Sequence, residues 1–417
     1  MELQRAKGTS ELLPEEKIKI DKVINVIKRT FEKYGFNPLE TPILQRYDAL
    51  ASKYAGGSEI LKETFKLKDQ GNRDLALRYD LTVTLCMAIA LNPNLKLPFK
   101  RYEIGKVFRD GPVEKSRVRE FCQCDADVIG NKSLAADAEC LRIYQNVFRE
   151  LKIKTEIRIN SIKLLKEIIS YAGLKGKEEQ AILIIDKLEK FGPDQVKKEL
   201  KEAGVNEEQI RKLINVLEIK GGNKNKIAKL KKILGNSDGI KEIEELEKYC
   251  RMMKVDVTFD VSLARGLSYY TGPVFEVFVR GEKSSLGGGG RYDKMIGSLL
   301  GKGDYPSTGI SFGIYRIAQL LKDEGEKSIV KVYVIPIKTQ KESLAIVSKL
   351  RDAGINSDID LLDRGISKNL DYADKLGISY VLFVGQQELK QKKVKLRDMK
   401  TGKEELLTVE GITRKIK

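Results

Sequence analysis

Residues 101–129 read RYEIGKVFRDGPVEKSRVREFCQCDADVI. Two β-prone stretches, 101–109 and 119–129, flank a polar loop at 110–118. The segment therefore reads as an antiparallel hairpin with a long, charged tip. Such a hairpin brings Arg109 and Arg119 near one another, beside Lys115 and Arg117. Arginine suits phosphate because its planar fork makes bidentate, charge-assisted bonds. Taken alone, an arginine-rich tip is more often simply solvated.

Upstream of the hairpin, Ile20, Val23, Ile24, Ile27 and Phe31 fall at helical spacing behind Leu13-Pro14-Glu15-Glu16, and Gly35 ends the helix. Pro38-Leu39-Glu40-Thr41-Pro42 is extended, and its prolines confine it to a sheet edge or an interface. Residues 73–79 read as a strand and 82–91 as a helix.

Downstream, the composition changes at about residue 161. Lys, Glu, Leu and Ile then recur with helical periodicity, broken at Gly173, Gly192-Pro193, Gly221-Gly222 and Gly235. Residues 161–245 read as a small helical insertion. The β pattern returns at 255–261 and 274–280. A glycine run at 287–290 and a short strand at 308–312 follow, the strand leading into a helix at 313–321. Residues 323–327 form a linker. The last segment, 328–417, alternates strand and helix: 331–337, 342–352, 357–362, 370–376 and 380–384. It ends in a basic hairpin of 392–397 and 404–408. This is a separate α/β domain.

A chain of 417 residues exceeds one ordinary core. With 41% hydrophobic and 33% charged residues it is a folded chain and not a disordered one. No apolar run is long enough to cross a bilayer, the N-terminus has no signal-peptide core, and five cysteines give no disulfide framework, so a cytoplasmic protein is expected. Histidine is absent, which excludes every mechanism that needs a protein imidazole. Cys122 and Cys124 have the wrong spacing for a zinc knuckle, and no metal ligated by the protein is expected. No P-loop or GxGxxG pattern is present. The net charge of +17 suits a polyanionic partner or a lysine-rich solvated surface. The insertion carries 18 basic against 15 acidic residues and the C-terminal segment 18 against 12, so no single tail holds the excess.

Three segments add to the hairpin: Arg265-Gly266-Leu267-Ser268-Tyr269-Tyr270, Gly288-Gly289-Gly290-Arg291-Tyr292-Asp293, and Gly309 to Arg316. Arg316 falls in the first turn of a helix, where a cation is unfavourable against the helix dipole unless an anion sits nearby. In this order the segments resemble the histidyl-tRNA synthetases, a class II aminoacyl-tRNA synthetase family, over nearly the whole chain. Tyr34-Gly35-Phe36 through Thr41-Pro42-Ile43 is similar to the dimer-forming motif 1. Phe108-Arg109 through Arg119-Glu120-Phe121 is similar to motif 2, and the Gly309 to Arg316 segment to motif 3. The Arg265 and Gly288 segments are peculiar to the histidine enzymes.

The resemblance implies an α+β fold. Residues 1–160 and 246–325 would form a class II antiparallel sheet core with helices, 161–245 a helical insertion domain, and 328–417 a C-terminal α/β anticodon-binding domain. It implies ligation of L-histidine to tRNA(His) in two steps through histidyl-adenylate, by a homodimer using ATP and Mg²⁺. Roles follow by position. Arg109 would hold the ATP α-phosphate and the carboxylate side of histidine, Arg265 the same centre as it reacts, and Arg316 the γ-phosphate. Asp80, Thr82 and Gln123 match positions that bind the amino group, and Asp127 and Tyr270 those that read the imidazole. Tyr269 and Tyr292 join the histidine pocket, and Glu114, Arg117 and Phe121 the ATP side. Two residues depart from the family, which usually has Asp at Ser268 and often Glu at Asp80. A catalytically dead paralogue that regulates histidine biosynthesis is the rival reading, and such chains tend to lose the ATP arginines. Lys392, Lys393, Lys395 and Arg397 would meet the tRNA backbone.

Overall fold

The computed structural model describes residues 3–54, 61–113, 118–266, 269–282, 285–301, 303–322 and 327–416. The chain divides into two compact units, Met1–Ser10 with Val23–Leu320 and Glu11–Lys22 with Leu321–Lys417.

Among the described residues of the first unit, eight strands form one sheet. Their order is Asn37–Pro38, Phe99–Phe108, Glu120–Ile129, Ser307–Phe312, Ser285–Arg291, Pro273–Val279, Thr155–Ser161 and Thr258–Phe259. The six inner strands are antiparallel to one another, and the two short edge strands pair in parallel. Pro38 sits on an edge strand, where its missing N–H costs least. The hairpin expected at 101–129 is Phe99–Phe108 against Glu120–Ile129, with its register running from Phe99 opposite Ile129 to Phe108 opposite Glu120. Its tip, residues 114–117, lies outside the described residues.

Side chains alternate across this sheet. One face takes an aromatic core: the Phe31 ring stacks on Tyr102 at 5.7 Å, and the Tyr144 ring meets Phe312 at 4.7 Å. Helices Pro14–Lys33 and Ala135–Glu150 supply Phe31, Tyr144 and Phe148, all fully buried. The opposite face is polar.

The glycine run at 287–290 lies in a central strand, Ser285–Arg291, where its neighbours approach too closely for any other residue. A Cβ on Gly289 would lie 2.0 Å from the Gly309 carbonyl oxygen. The strand expected at 255–261 shrinks to Thr258–Phe259. The Asp260 carboxylate accepts from the Ser262 amide (3.0 Å) and hydroxyl (2.7 Å), and this local turn ends the pairing.

Residues 162–252 are helical: Ile162–Tyr171, Glu178–Ile185, Leu188–Glu202, Glu207–Leu217, Asn223–Leu234 and Asp238–Met252. Side chains cap several starts. Ser161 accepts from the Lys163 and Leu164 amides, and Asn206 with Gln209 forms a capping box. Gly192, at φ +79°, breaks the helix Leu188–Glu202 near its start.

In the second unit, strands Ser357–Ile359, Val332–Ile337 and Tyr380–Gly385 run parallel, and Val394–Asp398 and Glu404–Leu407 extend the sheet antiparallel. Val332, Val334, Leu350, Leu382 and Ile412 form its core. The strand expected at 357–362 stops at Ile359. The Asp360 carboxylate accepts from the Leu362 and Arg364 amides at 3.1 and 2.7 Å and turns the chain. No helix among the described residues is long and apolar enough to cross a membrane.

Candidate active site

The polar face of the large sheet is floored by glycine. Each missing side chain leaves room for a functional one to lie flat. A Cβ on Gly105 would meet the Arg78 guanidinium at 2.2 Å, and one on Gly288 would meet Arg265 Nη1 at 2.8 Å. On Gly290 it would meet the Tyr270 ring at 2.9 Å, and on Gly309 Asp127 Oδ1 at 2.0 Å. The register sets these glycines in rows with the charged residues. Glu103, Asp125, Ser311, Gly288 and Glu276 stand side by side across five strands, and Arg101, Asp127, Gly309 and Gly290 form the next row.

Strand Glu120–Ile129 orders the site along its length. At one end stands Arg109. Its guanidinium is held between the rings of Tyr79 and Phe121, 4.4 and 4.9 Å from their centroids, and its buried Nε has no hydrogen-bond partner. Stacking fixes the plane of the fork and leaves its N–H groups for an anion. Arg316 is exposed and donates to the Ser285 carbonyl at 3.1 Å. In the middle lies Arg265, which reaches Glu276 at 3.1 Å across Gly288. Its Nε is also buried without a partner.

At the other end is a nest of carboxylates. Asp127 is 3% exposed. The Tyr292 hydroxyl donates to its Oδ1, and Arg101 faces its Oδ2 at 2.7 Å. Burial pushes the Asp127 carboxyl up, and Arg101 holds it down. Burial likewise pushes Asp125 up to about 7, against the opposing pull of Arg101. The Tyr270 ring lies 4.7 Å from that of Tyr269, which in turn stands edge-on to Tyr292 at 6.1 Å. Asp80 caps the helix Thr82–Leu91, accepting from the Thr82 and Val83 amides at 3.1 and 2.9 Å. Gln123, opposite Gly105 in register, has a buried and unpartnered Oε1.

The structure thus gathers Asp80, Gln123, Asp127, Arg265, Tyr269, Tyr270 and Tyr292 on one face, with Arg109 and Phe121 at one end. Arg316 stands apart from the carboxylates, at the Ser285 end of a strand whose other end leads into Tyr292. Thr82 contributes its amide to Asp80. Glu114, Arg117 and Ser268 lie outside the described residues.

Four residues escaped the sequence reading. Arg101 is fully buried beside Asp127. Arg78 donates to the Lys106 and Thr41 carbonyls and pairs with Glu103 at 2.8 Å, which locks the extended segment around Thr41 to the sheet. Asp125 shares the row of Glu103. Asp186, between two helices of the 162–252 region, lies 2.9 Å from where a Gly266 side chain would begin and acts electrostatically on Arg265. The alternation Phe121, Gln123, Asp125, Asp127 along a strand was the available signal for Asp125.

A family model described as histidyl-tRNA synthetase matches residues 8–317, and one described as anticodon binding domain matches 331–417. A histidine-tRNA ligase 1 of Bacillus cereus is 41% identical over 425 residues, covering 99% of each chain. A histidine-tRNA ligase 2 of Shouchella clausii is 42% identical over 413 residues, covering 96% of this chain and 97% of its own. The crystal structure of the histidyl-tRNA synthetase from Nostoc sp. PCC 7120 superposes with a TM-score of 0.87 at 31% identity, covering 100% of this chain and 99% of that one. Matches of this extent, on a sheet that carries the Arg109, Arg265 and Asp127 sites in one face, place the chain in the histidyl-tRNA synthetase family of class II aminoacyl-tRNA synthetases.

Proposed function

We propose that the chain joins L-histidine to tRNA(His), and that the face between Arg109 and Asp127 is where adenylate forms. Histidine and ATP first give histidyl-adenylate and pyrophosphate. The adenylate then passes its acyl group to the 3′-terminal ribose of the tRNA. The observation that carries this reading is the layout of the site: the ring-stacked Arg109 guanidinium at one end, buried carboxylates at the other.

The substrate carboxylate is already a nucleophile, so no protein base is needed, and a chain without histidine loses nothing. A carboxylate oxygen attacks the α-phosphorus, and the bond to the bridging oxygen of pyrophosphate breaks. The protein must hold the two in line and meet the charge that builds. Arg109, clamped between rings, and Arg265, laid over Gly288, take that role. Arg316 meets the γ-phosphate. Asp80, Thr82 and Gln123 hold the amino group, Asp127 and Tyr270 meet the imidazole, and Tyr269 and Tyr292 wall the pocket. Glu114, Arg117 and Phe121 serve the ATP side. Mg²⁺ comes with the ATP phosphates, with which it is commonly held by one or two carboxylates. Among the described residues no three acidic or cysteine side chains gather to hold it alone.

Residues 1–160 and 246–325 act as the catalytic domain, 161–245 clasp the acceptor arm, and 328–417 read the anticodon. The catalytic domain dimerises through the motif 1 region, where Ile43 and Leu44 are exposed. The enzyme works in the cytoplasm. Retention of Arg109, Arg265 and Arg316 speaks against a regulatory paralogue.

Histidine-dependent exchange of pyrophosphate into ATP tests the reading, with Arg265→Ala as control. Exchange with histidine alone, lost in the variant, is expected. A chain that binds histidine without exchange would favour the regulatory paralogue.

A further inference from the structure

We propose that Asp186, in the helical region 162–252, is a positioning residue that holds the Arg265 turn in its reacting geometry, a role that rests on the function proposed above. Asp186 ends the helix Glu178–Ile185, just before Leu188–Glu202 begins. Its amide donates to the Ile182 carbonyl at 2.9 Å, and Ile184 and Ile185 beside it are buried, so its backbone is fixed. An anion at the C-terminal end of a helix faces the unfavourable pole of the dipole. What it meets in return is the Arg265 turn. The Gly266 amide hydrogen-bonds its carboxylate, and a Cβ on Gly266 would lie 2.9 Å from Asp186 Oδ2. Arg265 and Asp186 also attract one another through charge. A helical pair with Lys190, one turn along, is the plain alternative, but it gives no reason for the Gly266 bond.

The chain around Arg265 shows why such a hold matters. Before the turn, the fully buried Asn160 donates from Nδ2 to the Val261 and Leu263 carbonyls at 3.0 and 2.9 Å. After it, the Thr271 amide donates to the Arg291 carbonyl at 2.8 Å. Gly266 lies between these ties and next to the arginine, and its bond to Asp186 comes from the helices instead of the sheet. Glu276 holds the guanidinium itself, at 3.1 Å, from the sheet below. Glu276 therefore fixes the tip of the Arg265 side chain, and Asp186 its root. Placement agrees. Arg158 is the register partner of Glu276 and so prolongs the row that runs through Gly288 and Glu276. Glu189, in the helix that follows Asp186, pairs with Arg158 at 3.2 Å. One short segment thus brings two carboxylates down at the end of that row, Glu189 on Arg158 and Asp186 on the Arg265 turn. The seating of these helices is thereby linked to the step carried out on the sheet. A misplacement of about 1 Å in a group that meets developing charge can cost roughly 100-fold in rate.

The test is histidine-dependent pyrophosphate exchange by the full chain, by Asp186→Ala, Asp186→Asn and Gly266→Ala, and by Asp186→Ala combined with Gly266→Ala. Asp186→Ala should lose roughly 10- to 100-fold in kcat. Its KM values for histidine and ATP and its melting temperature should stay close to wild type, because Asp186 acts through Arg265. Asp186→Asn keeps an acceptor for the Gly266 amide and should recover most of the rate. Gly266→Ala pushes Asp186 aside with its Cβ and should slow the reaction too. In the double variant the side chain it collides with is gone, so the two losses should not add. A wild-type kcat in Asp186→Ala overturns the proposal, as do losses that add in full, an Asn variant as slow as the Ala one, or a change in KM without one in kcat. Gly266→Ala at the wild-type rate overturns it as well, and decides the matter if Asp186→Ala does not fold. A wild-type chain with no histidine-dependent exchange would overturn the proposed function and this assignment together, and the wild-type rate alone identifies that case.

Discussion

Arg101 and Asp127 are register partners on adjacent strands, and their side chains meet at 2.7 Å with neither open to solvent. Arg101 also acts on Asp125, Glu103 and Tyr292. A single buried guanidinium therefore sets the charge of the acidic end of the site. Burial pushes both Asp125 and Asp127 toward neutrality, and Arg101 is the opposing charge beside each.

Replacing Arg101 with Met keeps much of the volume and removes the charge. A buried pair broken from one side leaves an uncompensated ion, at a cost of about 3–5 kcal/mol. Urea denaturation of Arg101→Met should show a loss of that order. Adding Asp127→Asn should recover part of it, because the orphaned charge goes too. Independent, additive losses would show that the two residues are not coupled.

Asp125 should make stability depend on pH in an unusual direction. Its folded value of about 7 lies above the ordinary 3.8, so between these pH values the native state keeps a proton that the unfolded chain has released. Stability then falls as pH rises through that window. The groups that face Asp125 are Arg101, Asp127, Asp80 and Ser311, with Tyr270 near it. Asp125→Asn cannot ionise, so it should be more stable than wild type at pH 8, by up to about 4 kcal/mol. The gain should vanish near pH 4. Thermal melts across that range check it, and a gain of equal size at both ends would refute the assignment.

Much of this was legible in the sequence. The helix Thr82–Leu91 and the hairpin around the loop at 110–118 both lie where the sequence puts them. The rest depends on pairing between distant segments. Glycines have little strand propensity, so a strand at 285–291 makes sense only once Asp127, Arg265 and Tyr270 are seen to need the space above it. A fully buried Arg101 is likewise invisible until Asp127 is placed opposite it, since an arginine in a strand reads as solvent-facing.

Two adjacent glycines should separate stability from activity. A Cβ on Gly288 would press on Arg265, the end of a flexible side chain, at 2.8 Å. A Cβ on Gly289 would meet the backbone of Gly309 at 2.0 Å, which cannot yield without opening the sheet. Gly288→Ala should therefore fold with a melting temperature close to wild type and lose roughly 10- to 100-fold in exchange rate, since Arg265 is displaced from the developing charge. Gly289→Ala should be unstable or insoluble. The reverse pattern would mean that Arg265 does not need the glycine floor.

Arg109 owes its orientation to stacking between Tyr79 and Phe121. Arg109→Lys keeps the charge and loses the planar fork, so it should bind ATP with a similar KM and fall roughly 100-fold in kcat for exchange. A kcat within a few fold of wild type would show that a point charge suffices there.

The basic hairpin of the second unit divides into two kinds of residue. Lys395 and Arg397 already share Glu404, at 3.5 and 3.4 Å. Among the described residues Lys392 and Lys393, at the turn before strand Val394–Asp398, are in no ion pair. A phosphate contact adds to the salt dependence of RNA binding through the counterion it releases, roughly 0.7 to 0.9 in the slope of log K against log salt. A lysine already neutralised by a carboxylate must give up that partner first and gains less. Lys392→Glu with Lys393→Glu should therefore flatten the slope for tRNA by more than one unit, and Lys395→Glu with Arg397→Glu by less. Filter binding between low and moderate salt measures both. Equal slopes in all variants would put the tRNA backbone on another face of this unit.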